Sequence, residues 1–256
     1  MPVGCAIMTD HLLAYHQELL RLPAIEIEDY LVPQRADTVH QQIPQLQTLL
    51  AGYHGEVLLS GPFIDLNPGT SERLIRRATR QRFEEAHSFA SAIGAAEIVF
   101  LSSFIPIIDL PSYEESWVAQ SIAFWRSYLA SVDPKITITL GNTFEFNPLL
   151  LVRIVEAVDR PNFRLAFDLG HFLVYSQIEL PAWMAHIRFY CTTVYVHSND
   201  GRMDSHDAPF TGLLQPEQME VIAEALPTKT KYIAKMNDKA VIKQSVDWIQ
   251  QVIARS

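Results

Sequence analysis

The sequence predicts a single (β/α)8 TIM barrel with a parallel eight-stranded sheet, and three observations carry that expectation. Eight short runs rich in β-branched and aromatic residues alternate with longer segments of helical period along the whole chain. The length of 256 residues suits one α/β barrel domain, and no linker, low-complexity tract or strong repeat divides it. The chemically richest residues fall at the carboxyl ends of the candidate strands, the face on which such barrels build their sites. Strand–helix alternation implies a parallel sheet, and right-handed crossovers close eight such units into a barrel. An open doubly wound sheet is the alternative.

Taken in order, "VGCAIM" (3–8) is the first strand, followed by helical "TDHLLAYHQELLRL" with Thr9 or Asp10 as its cap. The second strand is "AIEIE" (24–28) and the third "EVLLSG" (56–61). The helix "SERLIRRATRQRFEEAHSFASAI" follows, capped by Thr70 or Ser71, and "IGA" (93–95) supplies the glycine expected after it. Next come "EIVFLS" (97–102), the helix "SYEESWVAQSIAFWRSYLASV", "KITITL" (135–140) and the helix "PLLLVRIVEAV". "RLAFD" (164–168) and "TVYVH" (193–197) are the sixth and seventh strands. The helix "QPEQMEVIAEAL", the last strand "KYIAK" (231–235) and the helix "DKAVIKQSVDWIQQVIA" complete the chain. The long connections 61–70, 102–112, 141–148 and 198–214 all belong to the carboxyl face.

Composition narrows the function. No apolar run reaches the ~18 residues of a membrane span, and the short "PVGCAIM" lacks a basic leader, so the cytoplasm is the expected compartment. Cys5 and Cys191 are far apart and form no CxxC, which argues against a disulfide framework or a thiolate metal site. The formal net charge of -9 disfavours nucleic acid, whose non-specific affinity comes from Lys and Arg on phosphates. The basic run "RLIRRATRQR" (73–82) is backed by "FEEAH" and reads as a solvated outer face. A small molecule is the expected partner, and a homo-oligomer stays open.

Glu28, Ser60, Ser102, Gly141, Asp168, His197 and Lys235 stand at strand carboxyl ends. "FDLGH" (167–171) ends its strand with Asp168 and adds His171, with Gly170 allowing a tight turn. "TVYVHSNDGRMDSHDAPFTG" (193–212) contributes His197, Asp204 and His206; the last two are two apart, so an extended segment puts both on one side. Carboxylate with imidazole suits zinc, manganese or iron better than calcium. Each motif alone also reads as a solvated Asp-rich turn or a core histidine bonded to a carbonyl.

With these motifs and "LGNTFE" (140–145), the chain resembles the xylose isomerase-like barrel superfamily of sugar and sugar-phosphate isomerases and epimerases, which also contains endonuclease IV. The resemblance implies a divalent metal on the carboxyl face. In enolising members two glutamates, an aspartate and a histidine hold it; by motif position these are Asp168, His197 and two glutamate places taken by Gly141 and Lys235. Both glutamates, which also shuttle the substrate proton, are absent, and an acid or base typically contributes ~10²–10⁴-fold to rate. Glu145 is the nearest carboxylate left on that connection. The third zinc of endonuclease IV uses places that correspond to His171, Asp204 and His206, all present, whereas the extra histidines are replaced by Ser60 and Ser102 or Ser103.

The resemblance therefore implies a sugar or sugar-phosphate isomerase or epimerase, with zinc or manganese held among Asp168, His171, His197, Asp204 and His206. Lys235, Glu145 and Asp168 are its expected catalytic groups. Glu28, Asn142, Phe144 and Arg202 are expected to meet the substrate, Arg202 through a phosphate. Phe63, Phe104, Phe146, Phe172 and Phe210 are further wall candidates. Inward-facing Glu26 and Glu28 need a partner or a substrate, and Glu28, at the strand end, is preferred. The alternatives are a zinc hydrolase built on His171, Asp204 and His206, and a non-catalytic sugar-binding barrel in which Lys235 merely closes an ion pair.

Overall fold

A computed structural model describes residues 1–108 and 110–255. Its strands are β1 (Val3–Ile7), β2 (Ala24–Ile27), β3 (Glu56–Ser60), β4 (Glu97–Leu101), β5 (Thr137–Gly141), β6 (Phe163–Asp168), β7 (Cys191–Val196) and β8 (Lys231–Ala234). Each pairs in parallel with the next, and β8 pairs with β1 through Val3 and Tyr232, so the sheet closes into an eight-stranded barrel in sequence order. The expected architecture is the observed one, and the open sheet is excluded.

Closure explains why the strands read as near-continuous apolar runs: both faces are covered. Ala6, Ala24, Leu58, Val99, Ala166, Tyr195 and Ile233 form a compact cluster within the barrel. The interior is tight at β1, where a Cβ on Gly4 would lie 2.1 Å from the Ala24 carbonyl oxygen. The opposite faces of the strands join the helices in the larger core.

The helices are α1 (Thr9–Leu19), α2 (Pro33–Ala36), α3 (Ile43–Leu50), α4 (Arg73–Ala92), α5 (Pro111–Leu129), α6 (Leu149–Val158), α7 (Leu169–Tyr175), α8 (Leu180–Ile187), α9 (Pro216–Ala225) and α10 (Ile242–Ile253). Four of them, α2, α3, α7 and α8, are absent from the sequence reading; all are eight residues or fewer, too short for an apolar period to stand out. The caps differ too. Met8 precedes α1 without a side-chain bond. Thr9 instead ties α1 to Asp29, its amide and hydroxyl donating to one carboxylate oxygen at 2.7 and 2.8 Å. Glu72, not Thr70 or Ser71, caps α4 by accepting from Leu74 N. Gly94 behaves as expected: at φ +71° it ends α4 in the left-handed region, and the Ala95 amide bonds back to the Ala90 carbonyl.

Phe83 of α4 stacks on Phe100 of β4 with ring centroids 4.0 Å apart, and Trp125 and Tyr128 of α5 pack around them. Burying each such ring contributes about 1.5–3 kcal/mol and fixes the β3–β5 wall of the barrel. No helix among the described residues is long and apolar enough to cross a membrane.

Candidate metal and substrate site

At the carboxyl mouth a cavity of about 190 Å³ is walled on one side by Asp168, His171, Tyr195, Asp204, His206 and Lys235. The β6–α7 junction sets two of these. Asp168 is the last residue of β6 and caps α7, accepting from the His171 amide at 2.9 Å. Asn142, just past β5, clasps the strand end from the side: its Oδ1 accepts from the Asp168 amide at 2.7 Å and its Nδ2 donates to the Asp168 carbonyl at 3.0 Å. The ring of His171, in the first turn of α7, faces the mouth.

His197 lies one residue beyond β7, fully buried, and donates from Nε2 to Asp168 Oδ1 at 2.9 Å. Gly170 is glycine because of that ring: a Cβ there would sit 1.9 Å from His197 Cε1. This close approach, and not a tight turn, is the reason for the glycine of "FDLGH". The loop after β7 then brings back Asp204 and His206. His206 takes the left-handed backbone, φ +51°, uncommon outside glycine and costly. Its ring lies flat on His197, with centroids 3.8 Å apart and planes 10° from parallel.

The hydrogen bonds fix the direction in which each imidazole points. His171 Nδ1 lies 2.8 Å from the Asn142 carbonyl and His206 Nδ1 lies 2.8 Å from the Lys235 carbonyl. A carbonyl only accepts, so both Nδ1 atoms carry the proton. Both Nε2 atoms are thereby turned inward, each 3.1 Å from the same oxygen, Asp204 Oδ2. One atom from each of His171, Asp204 and His206 lies within 4.8 Å of the others. Two ring lone pairs facing a carboxylate oxygen repel unless a positive species sits among them. A second anchor on the ring nitrogen opposite the ligand atom is the usual arrangement of metal-bound histidine. The three residues therefore fit a divalent ion such as zinc, with Asp204 Oδ1, buried and unpartnered, as a further donor.

The electrostatics agree. Burial alone would raise the Asp168 carboxyl, but His171 and His197 hold it well below the usual carboxylate range. Asp204 is likewise held down, against burial, by His171 and His206. Burial opposes a charge on His171, yet Asp168 and Asp204 raise it to about 9, so without a metal that ring supplies the positive charge itself. Burial lowers His197, leaving it neutral with Nδ1 unpartnered.

Lys235 follows β8 and closes a second cluster beside the first. Its Nζ donates to Glu26 Oε1 at 2.9 Å and to Ser60 Oγ at 2.7 Å, and lies 4.2 Å from the centre of the Tyr195 ring. Tyr195 and Ser60 also donate to Glu26 Oε1. Burial works against the ammonium, but Glu26 and Glu28 raise Lys235, so it stays charged. Its charge is balanced chiefly by Glu26, and Asp168 is a weaker influence.

Except for Phe63, the remaining expected residues lie outside the cavity lining. Glu28 lies just past β2, immediately before the 3-10 turn Asp29–Leu31, and pairs with Lys239 at 2.6 Å, so Glu26 is the glutamate that meets Lys235. Glu145 is folded back, its carboxylate accepting from Ser102 Oγ and from the Thr143 amide at 2.5 Å. Phe144 packs edge-on against Tyr175. Arg202 lies in a turn closed by Asp200, away from the cavity. Of the phenylalanines only Phe63 lines the cavity; Phe104 stacks on Tyr113, and Phe172 packs on Trp183. Tyr195 is missed by the sequence reading, although its place two residues before His197 puts both on one face of β7. A larger groove of about 740 Å³ runs between α1 and α10 outside the barrel, but it brings together no comparable set of converging ligands among the described residues.

Residues 22–252 match the family model for the xylose isomerase-like TIM barrel. Among curated proteins, MJ1311 of Methanocaldococcus jannaschii is 22% identical over 173 residues, which span 65% of this chain and 59% of that protein. Among solved structures, a D-tagatose 3-epimerase-like protein superposes with a TM-score of 0.79 at 19% identity, covering 100% of this chain and 98% of that one. The TTHB071 protein of Thermus thermophilus, from a crystal soaked with ZnCl2, gives 0.76 at 19% identity over 100% and 99%. At these identities the structural likeness establishes the fold.

Proposed function

This chain belongs to the xylose isomerase-like TIM barrel family, and we propose that it is a metal-dependent enzyme of the sugar isomerase or epimerase kind, acting on a small carbohydrate at the carboxyl mouth. One observation carries the metal part: the anchoring of His171 and His206 through Nδ1, with both Nε2 atoms turned onto Asp204. A divalent ion held by these three residues would polarise a carbonyl or hydroxyl oxygen of the substrate.

The chain's own groups prepare the rest. Lys235, with two of its three N–H bonds used by Glu26 and Ser60, retains one for a substrate oxygen and places a fixed positive charge where negative charge develops. Asp168 stays ionised and, through His197, fixes the plane on which His206 stacks. The cavity is smaller than the roughly 300–1,000 Å³ of drug-sized sites, which favours a ligand of monosaccharide size over a polymer. The test is solvent exchange: with zinc or manganese restored, an isomerase or epimerase incorporates deuterium α to the substrate carbonyl, over a panel of aldoses and ketoses.

One observation favours a second reading. Among the described residues no free carboxylate pair lines the cavity, because Asp204 faces two histidines, Asp168 is bonded to His197 and the His171 amide, and Glu145 is tied to Ser102 and Thr143. A zinc-dependent hydrolase built on His171, Asp204 and His206 needs no such pair; it would cleave phosphoesters and show no α-proton exchange.

A further inference from the structure

Opposite the metal ligands, the wall of the cavity is made of Leu31, Phe63, Ile64, Val99 and Leu101, contributed by the β2, β3 and β4 side of the barrel. The polar side chain lining that side is Ser60, whose hydroxyl donates to Glu26 and accepts from Lys235. Tyr195 likewise spends its proton on Glu26. Polar side-chain atoms with capacity for a ligand therefore gather at one end, at Lys235, His171, Asp204 and His206. The far wall offers none among the lining side chains.

That wall is built and held. The Leu66 amide bonds to the Phe63 carbonyl at 3.1 Å, closing a turn in which Asp65 takes the left-handed backbone at φ +61°. Outside glycine this conformation is costly, and here it fixes the turn that carries Phe63 and Ile64 at the rim of the mouth. Ile64 keeps 49% of its surface exposed there, a large apolar side chain bordering the entrance. A hydroxyl pressed against such a wall loses its water and gains no partner.

We infer that the substrate has two unlike ends: oxygens that meet the metal-ligand triad and Lys235, and a carbon terminus without a hydroxyl or phosphate that packs on Phe63, Ile64 and Leu101. Within the carbohydrate reading, on which this rests, the substrate class is a terminally deoxygenated sugar. A terminal phosphate has no cation to meet on the far wall, since Arg202 lies outside the cavity lining.

The test compares matched pairs on the zinc-reconstituted chain: galactose with 6-deoxygalactose and mannose with 6-deoxymannose, in both enantiomers, by titration calorimetry and saturation-transfer NMR. The 6-deoxy member of at least one pair is expected to bind about ten- to a hundredfold more tightly, with its methyl protons receiving the strongest saturation. Ile64→Ser, at an exposed position that leaves the core intact, is expected to narrow the difference. Equal or tighter binding of the hydroxylated parent in every pair that binds would overturn the inference while leaving the carbohydrate reading in place. Absence of binding by every sugar would overturn both.

Discussion

His197 and His206 stack face to face, 3.8 Å between ring centroids and 10° from parallel. One is fully buried and neutral, bonded to Asp168; the other stands at the mouth on a left-handed backbone and points Nε2 at Asp204. The strand-end histidine thus serves as the platform on which the loop histidine is placed.

The platform depends on Gly170. Gly170→Ala would force a Cβ to within 1.9 Å of the His197 ring, and the displacement of that ring is expected to cost about 1–3 kcal/mol or more. Urea unfolding should show a lower midpoint with an unchanged slope, and zinc affinity should fall with it.

The Lys235–Glu26 pair is buried, so removing one partner strands the other. Lys235→Met is expected to destabilise by about 3–5 kcal/mol, and adding Glu26→Gln to recover most of that loss. A double-mutant cycle from denaturant curves measures the coupling; additive losses would count against the pair.

Glu145 gives a pH dependence. Burial raises its carboxyl, against the hydrogen bonds from Ser102 and the Thr143 amide. The unfolded chain therefore releases this proton first, and the carboxylate subtracts stability as pH rises from the unfolded value towards the folded one. Glu145→Gln can keep the Thr143 bond through its carbonyl oxygen. Its stability relative to wild type should improve between about pH 4 and pH 8, as measured by urea unfolding at both values; a constant difference would contradict the assignment.

Cys5 and Cys191 are buried, and burial pushes both thiols up to about 12. The thiolate is the reactive form. Neither should react with a disulfide reagent at about pH 8 in the folded protein, and both should react once it is unfolded in guanidinium.

Most of the barrel is legible in the sequence because each strand is a local apolar run, and the strand bounds fall within about two residues of the expected ones. Helices α3 and α8, eight residues each, are too short for a period to stand out, and α7 overlaps "FDLGH", whose polar residues mask its backbone pattern. Asp168, His171, His197, Asp204 and His206 are readable because they sit in two compact motifs on consecutive strands. The surroundings of Lys235 are not: Glu26 and Tyr195, which share a hydrogen bond, stand 169 residues apart, and only barrel closure brings them together. Glu28 reads as better placed than Glu26 if β2 runs one residue further, whereas its end at Ile27 leaves Glu28 just past the strand, immediately before the following turn.

Metal content tests the central claim most directly. Untagged protein, reconstituted with zinc or manganese, desalted and analysed by plasma mass spectrometry, should retain about one ion per chain, and His206→Ala, folded by circular dichroism, should lose it. Wild-type protein that retains no ion, or a His206→Ala variant that retains as much as wild type, would contradict the assignment of His171, Asp204 and His206 as the metal site.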